Sequence, residues 1–174
     1  MKKVLLVHIL VLLMLSTEAQ IYQFRGPDRD GKFPESNLLK EWPEGGPQLL
    51  LEFEGIGEGY SSVISNGKHI YASGKIGDMD HLTCLDFEGN KLWQVAYGKS
   101  WDQSYPNTRS TPTIEDNRIY IISGVGELVC LNAETGNINW KIDVDKEYET
   151  EWHVWGCLLY TSPSPRDPLR YRVC

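Results

Sequence analysis

Leu128-Val129-Cys130-Leu131-Asn132-Ala133-Glu134-Thr135-Gly136-Asn137-Ile138-Asn139-Trp140 decides the fold, because an edited copy of it stands earlier in the chain. Leu82-Thr83-Cys84-Leu85-Asp86 parallels its first five residues at an offset of 46, and Gly89-Asn90-Lys91-Leu92-Trp93 parallels Gly136 to Trp140 at an offset of 47. Further out, His69-Ile70-Tyr71 stands 49 residues before Arg118-Ile119-Tyr120. Three blocks in the same order, separated by small insertions, make an internal repeat, and a repeat takes precedence over local structure in reading a fold.

Each unit has the marks of four short strands. In the later one, Thr111 to Ile114, Arg118 to Ile122, Glu127 to Leu131 and Ile138 to Val144 are rich in β-branched and aromatic residues. Between them lie Glu115-Asp116-Asn117, Ser123-Gly124-Val125-Gly126 and Asn132 to Asn137. Such turns between short apolar runs are hairpin chemistry, and no stretch carries a helical period of useful length. Four antiparallel strands in a repeat of about 40–50 residues form a blade of a β-propeller. The expected fold is therefore all-β, with one complete blade over residues 60–97 and a second over 110–144. Leu49 to Glu54 reads as the outer strand of a further blade whose inner strands lie elsewhere. A ring of about seven or eight such blades needs well over ~300 residues, so residues 49–156 are expected to be part of a propeller more than twice as long.

Ala133-Glu134-Thr135-Gly136-Asn137-Ile138-Asn139-Trp140 resembles the tryptophan-docking motif of quinoprotein propellers, and Leu85 to Trp93 resembles a shortened version without the Ala and Thr. The physical sense is that Gly89 and Gly136 turn the third strand into the fourth, while Trp93 and Trp140 present a flat apolar plate between blades. From Phe24-Arg25-Gly26-Pro27 through Trp42-Pro43-Glu44-Gly45-Gly46-Pro47 to Lys141, the chain resembles secreted PQQ-like propeller proteins, often grouped with the outer-membrane assembly lipoprotein B family. The resemblance covers residues 20–156, of which 20–48 form an extended segment ahead of the blades. The chain departs from the lipoprotein pattern in having no Cys at the expected cleavage site.

Both ends of the 174 residues read differently from the middle. Lys2 and Lys3 precede an apolar run, Val4 to Leu15, followed by small residues at Thr17 and Ala19. This is the layout of a secretory signal, residues 1–19, cleaved after Ala19; a membrane anchor wants about 20 apolar residues, more than this run supplies. The mature protein is expected to be periplasmic or secreted, with no transmembrane segment. At the other end, Cys157-Leu158-Leu159-Tyr160-Thr161-Ser162-Pro163-Ser164-Pro165-Arg166-Asp167 resembles the translation of a transposase-type sequencing adapter. Residues 157–174 are therefore expected to be a non-native tail behind a reading frame that ends near Gly156.

The whole chain carries 17 Lys+Arg against 24 Asp+Glu, net -7; residues 20–156 alone carry 12 against 22, net -10, with two cysteines, Cys84 and Cys130. Two cysteines exclude a disulfide scaffold, and an acidic balance without a Lys/Arg cluster argues against nucleic acid, so no nucleic-acid partner is expected. The thiols fall at equivalent third-strand positions, where a small residue fits, and are expected to be buried and unbridged.

In such propellers the loops from a fourth strand to the next blade's first strand gather on one face with the loops between second and third strands. Gly55 to Tyr60 is a tight connector of this kind, whereas Gly98 to Arg109 is long and holds two aromatics, an acid and a base. Long loops on rigid scaffolds concentrate function, so Trp101, Tyr105 and Arg109 are the candidate contacts for a planar or anionic ligand. The alternative is that the aromatics only cover the channel mouth and Arg109 pairs with Asp102. The glycines Gly55, Gly57 and Gly59 precede strand-like residues and no helix, so they lack the mechanism of a phosphate cradle. Asp28-Arg29-Asp30-Gly31 lacks the distal ligands of a calcium loop and reads as a turn, and His69, His81 and His153 show no metal-ligand spacing. No catalytic residue is assigned.

Three functions compete. The first is a non-catalytic extracytoplasmic scaffold that binds a protein or saccharide. The second, implied by the resemblance, is a quinoprotein dehydrogenase that holds PQQ over the channel with a calcium ion. The third is an assembly-type protein that pairs with an outer-membrane barrel by strand addition. Two blades cut from a ring leave sheet edges and faces uncovered, so this polypeptide expressed alone is expected to aggregate. A sharp, reversible, monomeric melting transition would contradict that expectation.

Overall fold

In the computed structural model the described residues are 21–148; the expected signal segment and the adapter-like tail lie outside them. Two antiparallel sheets form. The first contains β2 (Ile64–Ser65), β3 (Ile70–Ile76), β4 (Met79–Leu85) and β5 (Lys91–Lys99) in that spatial order. The second contains β6 (Thr113–Glu115), β7 (Arg118–Ile122), β8 (Glu127–Asn132) and β9 (Ile138–Asp143), again in chain order. Each of these sets of four is an antiparallel meander. The fold is all-β and open, as part of a propeller must be, and among the described residues the one helical segment is α1 (Val144–Tyr148).

The turns follow from particular side chains. Asn132 Oδ1 accepts the amides of Glu134 and Thr135 at 3.0 and 2.9 Å and the Thr135 hydroxyl at 3.1 Å, which bends the chain out of β8. In the first blade Asp86 Oδ1 does the same with the amides of Glu88 and Asn90, at 3.0 and 2.7 Å. An Asn or Asp that caps its own following backbone is the common nucleus of such turns. Each turn ends on a glycine at positive φ, Gly89 at 86° and Gly136 at 72°.

The repeated side chains form matching rows. Tyr71, Cys84 and Trp93 lie opposite one another on β3, β4 and β5, and Tyr120, Cys130 and Trp140 do so on β7, β8 and β9. The Tyr and Trp rings of the two rows are 6.0 and 6.1 Å apart at interplanar angles of 51° and 48°. Each Cys is the small residue over which the two large rings meet, and both thiols are buried and free. Each row is followed at once by a register shift, between Cys84 and Leu85 and between Cys130 and Leu131, so even the bulge repeats.

The core runs across the seam between the sheets. Tyr71, Leu82, Cys84 and Tyr97 from the first blade form one buried cluster with Ile114, Ile119, Ile121, Val129, Leu131 and Ala133 from the second. Trp93 packs on this cluster, and a Cβ placed on Gly136 would come within 2.8 Å of its indole ring. The docking plate of the first blade thus lies on the turn glycine of the second. Leu51 fills the corresponding slot one blade earlier, where a Cβ on Gly89 would come within 2.5 Å of its Cδ1. Leu49 to Glu54, expected to be an outer strand, has no ladder partner among the described residues.

The N-terminal segment does one thing the pattern did not suggest. Ile21 and Tyr22 form β1, which pairs antiparallel with β6 and extends the second sheet to five strands. An inner strand of three residues leaves unpaired backbone groups on its free edge, and two residues of extended chain suffice to satisfy them.

The two docking tryptophans differ in what covers them. Trp93 is half-buried at the seam, whereas Trp140 is 41% exposed. Trp93→Ala should therefore lower unfolding stability by about 3 kcal/mol and Trp140→Ala by less than about 1 kcal/mol, measured by urea denaturation at low protein concentration. Equal losses would show that the seam contact is not the larger one.

Candidate functional site

The turn between β3 and β4, the turn between β7 and β8, and the long connector from β5 to β6 meet at one end of the blades. The Ser100 amide donates to Asp78 O at 3.0 Å, and a Cβ on Gly124 would come within 2.2 Å of the Trp101 amide nitrogen. The tight connector Gly55 to Tyr60 arrives at the same end: the Tyr60 amide donates to Thr108 O at 2.7 Å, and Glu58 exchanges two backbone hydrogen bonds with Lys75. Here Gly57 and Gly59 are sites of close approach, since added Cβ atoms would lie 2.5 Å from Lys75 O and 2.8 Å from Thr108 O. Strand-like residues follow them and no helix, in keeping with a packing role.

The connector holds the three residues singled out from the sequence, and it brings them together. Trp101 Nε1 donates to Ser104 O at 3.0 Å, Arg109 Nη2 donates to the same oxygen at 2.9 Å, and Arg109 also donates to Tyr105 O. Two side chains thereby hold the backbone of Ser104 and Tyr105 from beneath. They leave Trp101 8% exposed and Tyr105 65% exposed, so of the two aromatics it is Tyr105 that is presented to solvent, beside the exposed Asp102, Gln103 and Pro106. Tyr105 and Asn107 sit at φ 44° and 91°. Left-handed backbone at non-glycine residues persists only where the surroundings over-determine it, and it gathers at functional loops.

Asp80 anchors this loop from below and was not among the residues the sequence singled out. Its side chain lies at the start of β4 and the residue is 1% exposed. Oδ1 accepts the Ser100 hydroxyl at 2.7 Å and the Thr108 hydroxyl, and Oδ2 accepts the Gly124 amide at 2.7 Å. No local signal marks it, since such a carboxylate is kept in a fold only when donors surround it and its donors come from distant parts of the chain.

Glu127 stands across the seam from Asp80. Its Oε2 accepts the Lys99 amide at 2.8 Å and the Ser123 hydroxyl at 3.2 Å, and Oε1 pairs with Lys141 at 2.5 Å. Burial opposes its charge, but Lys141, the Lys99 amide and Ser123 outweigh burial and hold the carboxyl below its usual range. The Cys84 thiol is pushed up to about 11, chiefly by burial, which keeps it a poor nucleophile.

The remaining sequence candidates have ordinary surroundings. Asp28 to Gly31 is a turn closed by the Arg29 amide on Gly26 O and the Gly31 amide on Arg25 O. His69 Nδ1 lies 3.3 Å from the Tyr71 hydroxyl and His81 Nδ1 lies 3.1 Å from Met79 O. His153 lies outside the described residues, among which no three His, Cys, Asp or Glu side chains cluster as a metal site would need. At the opposite end of the seam an open cleft of about 410 Å3 is crossed by the exposed Lys68–Glu134 pair. No helix among the described residues is long and apolar enough to cross a membrane.

Residues 78–164, half of the chain, match the PQQ-repeat family described as outer membrane protein assembly factor BamB. The chain belongs to this family. The matched stretch begins at the turn between β3 and β4 and takes in the outer two strands of the first meander, the Gly98 to Arg109 connector and all of the second meander, while β2 and β3 lie before it. No curated protein matches the chain significantly.

The lowered Glu127 carboxyl has a definite sign. A depressed folded-state value adds stability above the unfolded value, near 4.5, and that stability disappears as pH falls through the folded value. The urea midpoint of Glu127→Gln, measured at low protein concentration, should lie below that of the natural chain at pH 7, and the gap should close as pH falls below about 4.5. A gap independent of pH would refute the assignment.

Proposed function

We propose that the intact propeller is an extracytoplasmic binding or scaffolding module, secreted or periplasmic, and that it engages a protein or saccharide partner through the face bearing the Gly98 to Arg109 loop. The observation that carries this reading is Tyr105: an exposed aromatic on strained backbone, held from beneath by Trp101 and Arg109. A rigid aromatic with one polar tip gives contact area at small entropic cost, and it stacks on sugar or peptide surfaces. The signal-like residues 1–19 support the location, and the family description supports a role in outer-membrane assembly, with a barrel protein as one such partner. In that role Trp101 and Arg109 set the loop and Tyr105 makes the contact.

A calcium- and PQQ-dependent dehydrogenase would need a set of carboxylate and amide donors around the channel. The described residues do not fit that group: Asp80 and Glu127 spend their oxygens on the seam, and no acidic cluster stands beside them.

The test uses the intact gene product in its own envelope. Chemical cross-linking followed by mass spectrometry should place partner peptides near Tyr105, and Tyr105→Ala should cut that yield at least fivefold with an unchanged melting temperature. PQQ- and calcium-dependent dye reduction by the purified protein would sink the scaffold reading. Cross-links confined to the opposite face would move the contact surface elsewhere.

A further inference from the structure

Asp80 and Glu127 are related by more than proximity. Each stands at the start of the third strand of its own blade, and each accepts a backbone amide from the other blade. Asp80, from the first blade, takes the Gly124 amide of the second; Glu127, from the second, takes the Lys99 amide of the first. The backbones at the crossing are too close for any side chain. A Cβ on Gly98 would fall 2.3 Å from Ser123 Cβ, and one on Gly124 would fall 2.2 Å from the Trp101 nitrogen.

Glycine at both positions allows this approach, and at Gly124 it leaves a backbone amide in a buried place. A buried amide needs an acceptor, and an isolated buried carboxylate is costly unless donors surround it, so Asp80 and the Gly124 amide answer each other. The Glu127–Lys99 bond closes the same crossing at its exposed rim. Asp80 also accepts two hydroxyls, from Ser100 and Thr108, which are the shoulders of the loop that carries Tyr105. Its position is therefore transmitted to that loop at both ends.

We propose that Asp80 and Glu127 form a reciprocal carboxylate latch that sets the register of the two blades, and that Asp80 is the positioning residue of the Gly98 to Arg109 loop. The latch stands on the seam geometry alone and does not depend on what the mouth binds. It predicts that the loop and the Ser123 to Glu127 turn open together, while the strands on either side stay closed.

Hydrogen exchange of the full chain, read by mass spectrometry, tests this. Asp80→Asn and Thr108→Val should each raise exchange at least tenfold in peptides covering 100–111 and 123–127. Peptides covering 70–76 and 91–96 should be unchanged. Thr108→Ser, which restores the hydroxyl, should return the loop to its natural protection. If Asp80→Asn unfolds the whole chain, local opening at 100–111 in Thr108→Val still supports Asp80 as the positioning residue of the loop, and Glu127→Gln, which should speed exchange at 97–100 and 123–127 while leaving 70–76 unchanged, carries the test of the latch. Unchanged exchange at 100–111 in Asp80→Asn, or equal acceleration of every peptide in both variants, would overturn it.

Discussion

An indole lying on a glycine holds the two blades together. Trp93 projects from the outer strand of the first blade and covers Gly136 in the last turn of the second, where any side chain would collide with the ring. Gly136 is needed twice over, since its backbone also sits at positive φ. Around this contact the rest of the seam falls into place: the Tyr71 hydroxyl reaches Ala133 O at 3.2 Å, and the buried cluster joins the two sheets into one core. A large flat side chain suits the task because it buries much area at the cost of few rotatable bonds.

The same contact recurs one blade earlier with a smaller partner. Leu51 lies over Gly89 as Trp93 lies over Gly136, although Leu49 to Glu54 forms no ladder among the described residues. Contact and hydrogen bonding are thus separable in this architecture. Side-chain docking needs only the right residue over the turn, whereas a ladder needs a neighbouring strand.

Function, on this reading, inherits its rigidity from the seam. The mouth loop is long, but Asp80, Trp101 and Arg109 tie its shoulders and its backbone, and the strain at Tyr105 and Asn107 is held by those ties. The two blades could not be separated without releasing the loop, because Ser100, Gly124 and Asp80 belong to one hydrogen-bonded group. That coupling makes a propeller seam a suitable place to build a binding face: the stability of the core and the shape of the loop come from the same atoms.

The strands, their order within each blade, the turn glycines and the pairing of Cys84 with Cys130 by position were legible in the sequence. They are local or periodic: an Asn or Asp caps its own turn, and a repeat doubles every signal. Trp101, Tyr105 and Arg109 were recognisable as a group by the length and content of their loop. Which of them faces solvent was not, because Trp101 and Arg109 are turned inward by hydrogen bonds to a carbonyl whose position only the folded loop fixes. Asp80 was invisible for the same reason in stronger form: its donors lie 20, 28 and 44 residues away, and no local pattern marks a carboxylate whose partners come from the connector and from the next blade. The sequence by itself determined the unit and its repetition, through backbone chemistry that acts over a few residues; tertiary structure alone decided how the units meet, because that depends on atoms brought together only when the two sheets pack.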